Sequence, residues 1–303
     1  MLYNEKIEKE ILLDAFDYVN RTMKDAKLIF SSMVGSISQG GHYFDSDYDT
    51  RFLYIRDSFP SKTILACEHN EDELVKRYYP QNKVYEWIPF WELTSFFSFW
   101  DNPKFLDCDI SLGLYNIVDW TINSPYVWDP YGLQQKIVPI MHRIFVPENK
   151  MCAQKKIIEK YYGEIHTGNQ VIVKSYFYMI HAAATIEFIN RYRTMAPVDI
   201  QSLLFSLNRM EIYSFLENEM TIARKKVRDY YEVNESIQLQ GQHFKIKMDR
   251  CHCFDNYIKE QYSIVSGIEP IIKDDKKIRD TIENIFCIIE HSVYNTENLG
   301  FAR

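Results

Sequence analysis

The chain has 303 residues, of which 46% are hydrophobic and 25% charged, and its formal net charge is −7. These are globular proportions, so wholesale disorder is excluded, and the length suits one large domain or two ordinary ones. The acidic balance excludes a protein that coats duplex nucleic acid indiscriminately, although a local basic channel on an acidic body is compatible with it.

Aromatic residues reach 15%, with 22 Tyr and 19 Phe against only 10 Gly and 10 Pro. So few breakers disfavour a turn-rich all-β architecture and favour helix. No apolar run approaches the roughly 18–20 residues that span a bilayer. No basic segment followed by an apolar one opens the chain, so a soluble cytoplasmic protein is expected. The cysteines, Cys67, Cys108, Cys152, Cys251, Cys253 and Cys287, are too sparse for a disulfide scaffold. Cys251-His252-Cys253 holds the closest pair. A C-x-C pair can ligate zinc, but no second C-x-x-C or H-x-x-x-H follows, so these read as ordinary reduced thiols.

In chain order, Ile7, Ile11, Ala15, Val19 and Met23 recur at helical spacing and predict an amphipathic opening helix over 5–23. The apolar run Leu28-Ile29-Phe30 leads through Met33-Val34 to Gly35-Ser36. From there to Asp47 the composition is that of a loop or short helix cap. Residues 49–55 read as a strand from their β-branched and aromatic content, as do 83–88 and 105–110. Residues 91–100 predict an aromatic helix, in which Trp91, Phe96, Phe99 and Trp100 pack core rather than stack bases. After Asp129-Pro130-Tyr131-Gly132 the texture changes. One long helical run is expected over 150–193, carried by Val173, Phe177, Ile180, Ala184 and Phe188 and broken at Pro197. Helices over 198–208, 211–231 and 275–292 follow. The expected organisation is α+β: a catalytic front over 1–128 and a mainly helical domain over 129–303.

The segment with chemical content is 33–55. Gly35 lets a phosphate approach the backbone with no Cβ in the way, and Ser36 can donate its hydroxyl to a phosphate oxygen. Asp47 and Asp49 lie two apart on an extended segment and so share a face. Two carboxylates there repel each other unless a cation sits between them, and Mg²⁺ or Mn²⁺ is the natural occupant. A two-metal phosphoryl transfer needs a further carboxylate, for which Asp109 is favoured and Asp107 is the alternative. A strand-terminal Asp can also simply cap a helix. Arg51 shares a face with Asp49 and, with Arg56 further along the strand, could meet a phosphate or equally a local carboxylate. Lys174 and Tyr178 lie one helical turn apart, where a cation and a ring could meet a triphosphate and a base. A solvated lysine beside a core tyrosine is the plainer alternative. Arg224-Lys225-Lys226 and Arg228 read as a solvated face that could steer RNA locally. His42, His166 and His181 lack partners at ligand spacing and receive no role.

Gly35-Ser36, then Asp47-x-Asp49, then a later apolar-Asp-apolar strand resembles the polymerase-beta-type nucleotidyltransferase superfamily. More narrowly, Ser46-Asp47-Tyr48-Asp49-Thr50-Arg51-Phe52-Leu53-Tyr54 is similar to the S-D-Y-D-x-R-F-x-Y run of the RNA ligase-associated, RNA-repair nucleotidyltransferase family. Val173-Lys174-Ser175-Tyr176-Phe177-Tyr178, Pro197-Val198-Asp199 and Leu203-Leu204 are similar to its C-terminal blocks. Where that family usually continues from its third acidic strand into Gly-Trp-Asp, this chain reads Asp109-Ile110-Ser111-Leu112-Gly113.

The resemblance implies a small mixed sheet with helices, followed by a helical domain closing a cleft. It also implies transfer of a nucleoside monophosphate from an NTP, such as ATP, to an acceptor hydroxyl with release of pyrophosphate. Asp47, Asp49 and Asp109 would hold the metal, and Gly35 and Ser36 the phosphates. An RNA or tRNA end is the expected acceptor. A protein or an aminoglycoside-like molecule is the alternative acceptor, and a nucleotide-binding antitoxin or sensor without turnover is the non-enzymatic one.

Overall fold

The computed structural model describes residues 9–10, 12–13, 16–17, 20–21, 26–43, 46, 50–56, 78–79, 84–85, 90–92, 124–165, 168–233, 245–271 and 291–293. The described residues between 9 and 21 are helical, as expected for the opening helix. The elements in order are β1 (Ala26–Met33), α1 (Gly35–Gln39), β2 (Thr50–Arg56), β3 (Tyr78–Tyr79), β4 (Val84–Tyr85), β5 (Phe90–Glu92), β6 (Val127–Trp128) and α2 (Leu133–Ile144). Then come α3 (Pro147–Ile165), β7 (Gln170–Ile172), α4 (Val173–Tyr192), α5 (Ile200–Ser206), α6 (Met210–Val233), β8 (Lys247–Asp249) and α7 (His252–Val265). The protein is therefore α+β. None of the described helices is long and apolar enough to cross a membrane.

The chain divides into two compact units that interleave in sequence. The first is Met1–Gly35, Asp47–Phe145 and Ile272–Arg303; the second is Ser36–Ser46 and Val146–Ile271. The divisions fall at Gly35, at Ser46, after Phe145 and after Ile271.

In the first unit a four-stranded sheet has the order β5-β2-β1-β6. β1 pairs antiparallel with β2 and β6, and β2 runs parallel to β5. Leu28, Ile29 and Phe30 are buried in succession, as in a central strand covered on both faces. A register shift between Leu28 and Phe30 marks a bulge, which re-aims the rest of the strand. The Ser124 hydroxyl donates to the Met33 carbonyl, and the Met33 N–H donates to the Tyr126 carbonyl at 2.9 Å, which lays β6 against the end of β1. Helix α2 starts from the Asp129 carboxylate, which accepts the Leu133 and Gln134 N–H groups at 2.7 and 2.8 Å. Those are two of the donors a helix leaves unsatisfied at its N-terminus.

The second unit is built around α4. Val173, Tyr176, Phe177, Ile180, Ala184 and Ile189 are all buried, on more than one face, which makes α4 the central helix. It packs against α3, α5, α6 and α7. The neighbours are one-sided: α6 buries Leu216, Met220, Ala223 and Val227, and α7 buries Phe254, Tyr257, Ile258 and Val265, at helical spacings. Each large apolar side chain so buried contributes about 1.5–3 kcal/mol.

Two expectations are corrected here. The helical run over 150–193 is two helices separated by β7, which pairs antiparallel with β8 through Gln170↔Asp249, Val171↔Met248 and Ile172↔Lys247. A distant strand partner satisfies this backbone, so the local helical period is overridden. At residues 90–92 the chain is extended, with Phe52↔Phe90 and Leu53↔Trp91 in register, and not the start of a helix. The aromatic residues there suit either state, and pairing with β2 decides it. The rest of 91–100, the strand at 105–110 and most of 275–292 lie outside the described residues; 291–293 is helical.

Candidate functional site

The strand β1 stops at Met33, and Gly35 takes φ 67°, the left-handed region where a Cβ would be strained. Ser36 follows as a buried residue of α1, and its carbonyl accepts the Gly41 N–H at 2.8 Å. Gly35 thus takes a backbone conformation that favours glycine where β1 gives way to α1. In the first unit, the β1–β2 register pairs Met33 with Thr50 and Ser32 with Arg51. Thr50 is the residue after Asp49, and Met33 comes two before Gly35. Arg51 is thus on β2 beside the end of β1. Asp47, Asp49, Asp107 and Asp109 lie outside the described residues. Among the described residues no group of three or more His, Cys, Asp or Glu could hold a metal ion.

In the second unit the segment 40–43 is clamped from several helices. The Arg224 guanidinium, on α6, donates to the carbonyls of Gly40 at 2.9 Å and His42 at 3.1 Å, and also meets Glu217 at 2.6 Å. A Cβ on Gly41 would sit 2.3 Å from the Phe177 ring, so only glycine fits over that ring. The Lys174 ammonium lies 5.5 Å from the centroid of the Tyr43 ring. Tyr178, one turn further along α4, stacks on Tyr161 of α3 with centroids 5.2 Å apart. Lys174 and Tyr178 are both half-buried, so neither is a plain solvated side chain.

The basic cluster on α6 splits. Arg224 is taken up by the segment 40–43, whereas Lys225, Lys226 and Arg228 are exposed. Arg224, expected on a solvated face, is half-buried instead, because its partners are backbone carbonyls far away along the chain. Asp199 is a helix cap: its carboxylate accepts the Ser202 N–H at 2.7 Å. His181 is buried, with Nε2 2.7 Å from the Val198 carbonyl.

Two buried polar atoms stand out on the chain that flanks Gly35-Ser36. Ser32 Oγ and Gln39 Oε1 have no hydrogen-bond partner among the described residues, although Ser32 and Gln39 are only 1% and 4% exposed. A buried acceptor left unmet costs about 1–3 kcal/mol, so such atoms mark places where a further group is needed.

Gln261 Oε1 on α7 is likewise unmet among the described residues, whereas Glu187 has the opposite balance. Glu187, 3% exposed on α4, accepts from Arg191, from Arg209 at 2.9 Å and from the Tyr257 hydroxyl at 2.7 Å. Burial, then that hydrogen bond, pushes the Tyr257 hydroxyl well above its ordinary range. Burial and donation to Asp255 raise Tyr176 in the same way.

No protein-family model matches the chain, and no solved structure matches it. Among curated proteins it is similar to the one named Uncharacterized protein YcgL of Bacillus subtilis (strain 168), at 20% identity over 244 residues. That similarity spans 80% of this chain and 86% of the other.

Proposed function

We propose that the protein is a metal-dependent nucleotidyltransferase with a polymerase-beta-type core. It moves a nucleoside monophosphate from an NTP to an acceptor hydroxyl, releases pyrophosphate, and takes an RNA or tRNA end as acceptor. The observation that carries this reading is the pairing of Met33 with Thr50. It sets the strand entered directly after Asp47-Tyr48-Asp49 alongside β1, which stops at Met33, two residues before Gly35. Two further features support it: the left-handed Gly35 and the unmet Ser32 and Gln39 atoms on the same stretch of chain.

Asp47, Asp49 and Asp109 form an all-carboxylate donor set, the hard-oxygen type that suits Mg²⁺ or Mn²⁺, and these residues would hold it. Bound there, the metal supplies charge neutralisation at the attacking and leaving oxygens of an in-line displacement. The chain's own contributions are positional. Gly35 admits the triphosphate close to the backbone, and the Ser36 hydroxyl donates to a phosphate oxygen. Arg51 supplies a cation for a phosphate oxygen, and a carboxylate oxygen of Asp109 accepts the acceptor's proton. The exposed Lys225, Lys226 and Arg228 favour a polyanionic acceptor such as RNA. The net charge of −7 favours the second reading, a cationic small-molecule or protein acceptor.

The test is pyrophosphate release with each of the four NTPs, Mg²⁺ or Mn²⁺, and pools of RNA, protein and aminoglycoside as acceptors. Release with one NTP and an RNA pool is expected, and release only with the other pools selects the second reading. Tight NTP binding with no release under any of these conditions overturns the enzymatic account in favour of a nucleotide sensor.

A further inference from the structure

Cys251 and Cys253 stand at the start of α7, with their Sγ atoms 2.9 Å apart. Cys253 is exposed and Cys251 half-buried, and both are free thiols. A disulfide needs about 2.05 Å, so the sulfurs are within about an ångström of bonding distance.

The backbone that carries the pair is pinned from several directions. The Cys251 N–H donates to the Tyr176 hydroxyl at 3.2 Å, and the Cys251 carbonyl accepts the Asp255 N–H at 3.0 Å. Tyr176 in turn donates to Asp255 at 2.8 Å, and Arg250 meets the other oxygen of that carboxylate at 2.5 Å. The Arg250 N–H donates to the Asn169 carbonyl at 2.9 Å beyond the end of the β7–β8 ladder. The backbone around the two residues is therefore held by a frame that does not include their side chains, with the sulfurs already 2.9 Å apart.

We infer that Cys251 and Cys253 form a dithiol site for thiol–disulfide exchange with low-molecular-weight disulfides, independent of any nucleotidyl transfer. The exposed Cys253 thiolate attacks one sulfur of a small disulfide RSSR. The RSSR bond breaks, RS⁻ leaves, and a Cys253–SR bond forms. The Cys251 thiolate then attacks Cys253 Sγ, the mixed bond breaks, and a second RS⁻ leaves. The products are the Cys251–Cys253 disulfide and two RSH, whose protons come from the two protein thiols. Two electrons have passed from the protein to RSSR. Burial and the neighbouring Cys251 thiol push Cys253 up to about 11, so its thiolate fraction at neutral pH is small and the first step is slow.

The test uses the full chain in a mixture of reduced and oxidised glutathione, followed by alkylation of remaining thiols. Trypsin cutting after Arg250 and Lys259 releases 251–259, a peptide with both cysteines of the pair and no other. The expected product from the wild type is this peptide two hydrogens lighter and unalkylated, with little glutathione attached. Cys251→Ser is expected to accumulate glutathione on Cys253. Cys152→Ser, which alters a buried thiol donating to the Ile268 carbonyl, is expected to leave the peptide's behaviour unchanged. Wild-type protein that holds glutathione on Cys253 as fully as Cys251→Ser does, or that keeps both thiols alkylatable, overturns the inference. The wild-type peptide decides the matter whether or not either variant folds.

Discussion

Glu187 and Gln39 are buried to almost the same extent, at 3% and 4% exposure, and have opposite hydrogen-bond balances. Glu187 collects donors from Arg191, Arg209 and Tyr257, and so ties α4 to α7 and to the residue that precedes α6. Gln39 presents a carbonyl oxygen that no described residue meets, as Ser32 presents a hydroxyl. A saturated buried charge is there for cohesion, since every partner it needs comes from the chain itself. An unmet buried acceptor beside a left-handed glycine is a stability cost that a ligand or water can offset. The two residues thus contrast a buried group that the chain itself satisfies with one that no described residue meets.

The sharpest way to break this contrast is Glu187→Ala. It leaves Arg209 and the Tyr257 hydroxyl facing an empty position, and is expected to cost about 3 kcal/mol, the low end for a broken buried pair because Arg209 is one-third exposed. A shift of the urea midpoint with an unchanged m-value would show it. Gly41→Ala comes next, at about 1–3 kcal/mol, since the new methyl meets the Phe177 ring. The double variant with Phe177→Leu should recover part of that loss, and strict additivity would contradict the contact. Arg224→Ala removes two bonds to the Gly40 and His42 carbonyls and is expected to cost about 1.5 kcal/mol. If segment 40–43 matters to the proposed site, the same variant raises KM for NTP, which calorimetric stability alone would not reveal. Gln39→Met is the smallest in stability, within about 1 kcal/mol in either direction, because it deletes an acceptor that no described residue satisfies. It should weaken NTP binding all the same. A large loss of stability there would dissolve the comparison.

Alkaline pH tests the saturated side. Tyr176 and Tyr257 are both raised in the folded protein, by burial first and by hydrogen bonds to carboxylates second. In the unfolded chain a tyrosine loses its proton near pH 10. Their contribution is therefore complete below about pH 10 and declines as pH rises above it, because the unfolded state then holds fewer protons. Tyr257→Phe should flatten that decline in urea titrations taken across the alkaline range, and an unaltered slope would assign the decline elsewhere.

What could be read from the chain depended on how local the determinant was. The turn at Gly35-Ser36 and the strand at β2 depend on neighbours within a few residues, and both were legible. So were α5 and α6, whose apolar positions recur at helical spacing after Pro197 and Asn208-Arg209. The break between α3 and α4 was hidden because Val171 and Val173 continue a helical period, while the partner that makes 170–172 a strand lies at 247–249. The same distance hid Arg224 and the Glu187 cluster: no spacing rule links residue 224 to carbonyls at 40 and 42. The assignment of 36–46 to the unit that holds 146–271 is equally non-local, since reading in chain order offers a single cut. For the cysteines, C-x-C spacing showed proximity in sequence but not that the sulfurs face each other.

The central claim is tested most directly by following the α-phosphate. Wild type and Asp47→Ala/Asp49→Ala are incubated with each α-³²P-labelled NTP, Mg²⁺ and an RNA pool, with circular dichroism confirming that both are folded. The account predicts label on RNA with the wild type and a loss of at least about a thousandfold in the double variant, since the proposed mechanism assigns these carboxylates to the metal. Equal labelling by both proteins, or none from either with RNA, protein and small-molecule acceptors alike, would contradict it.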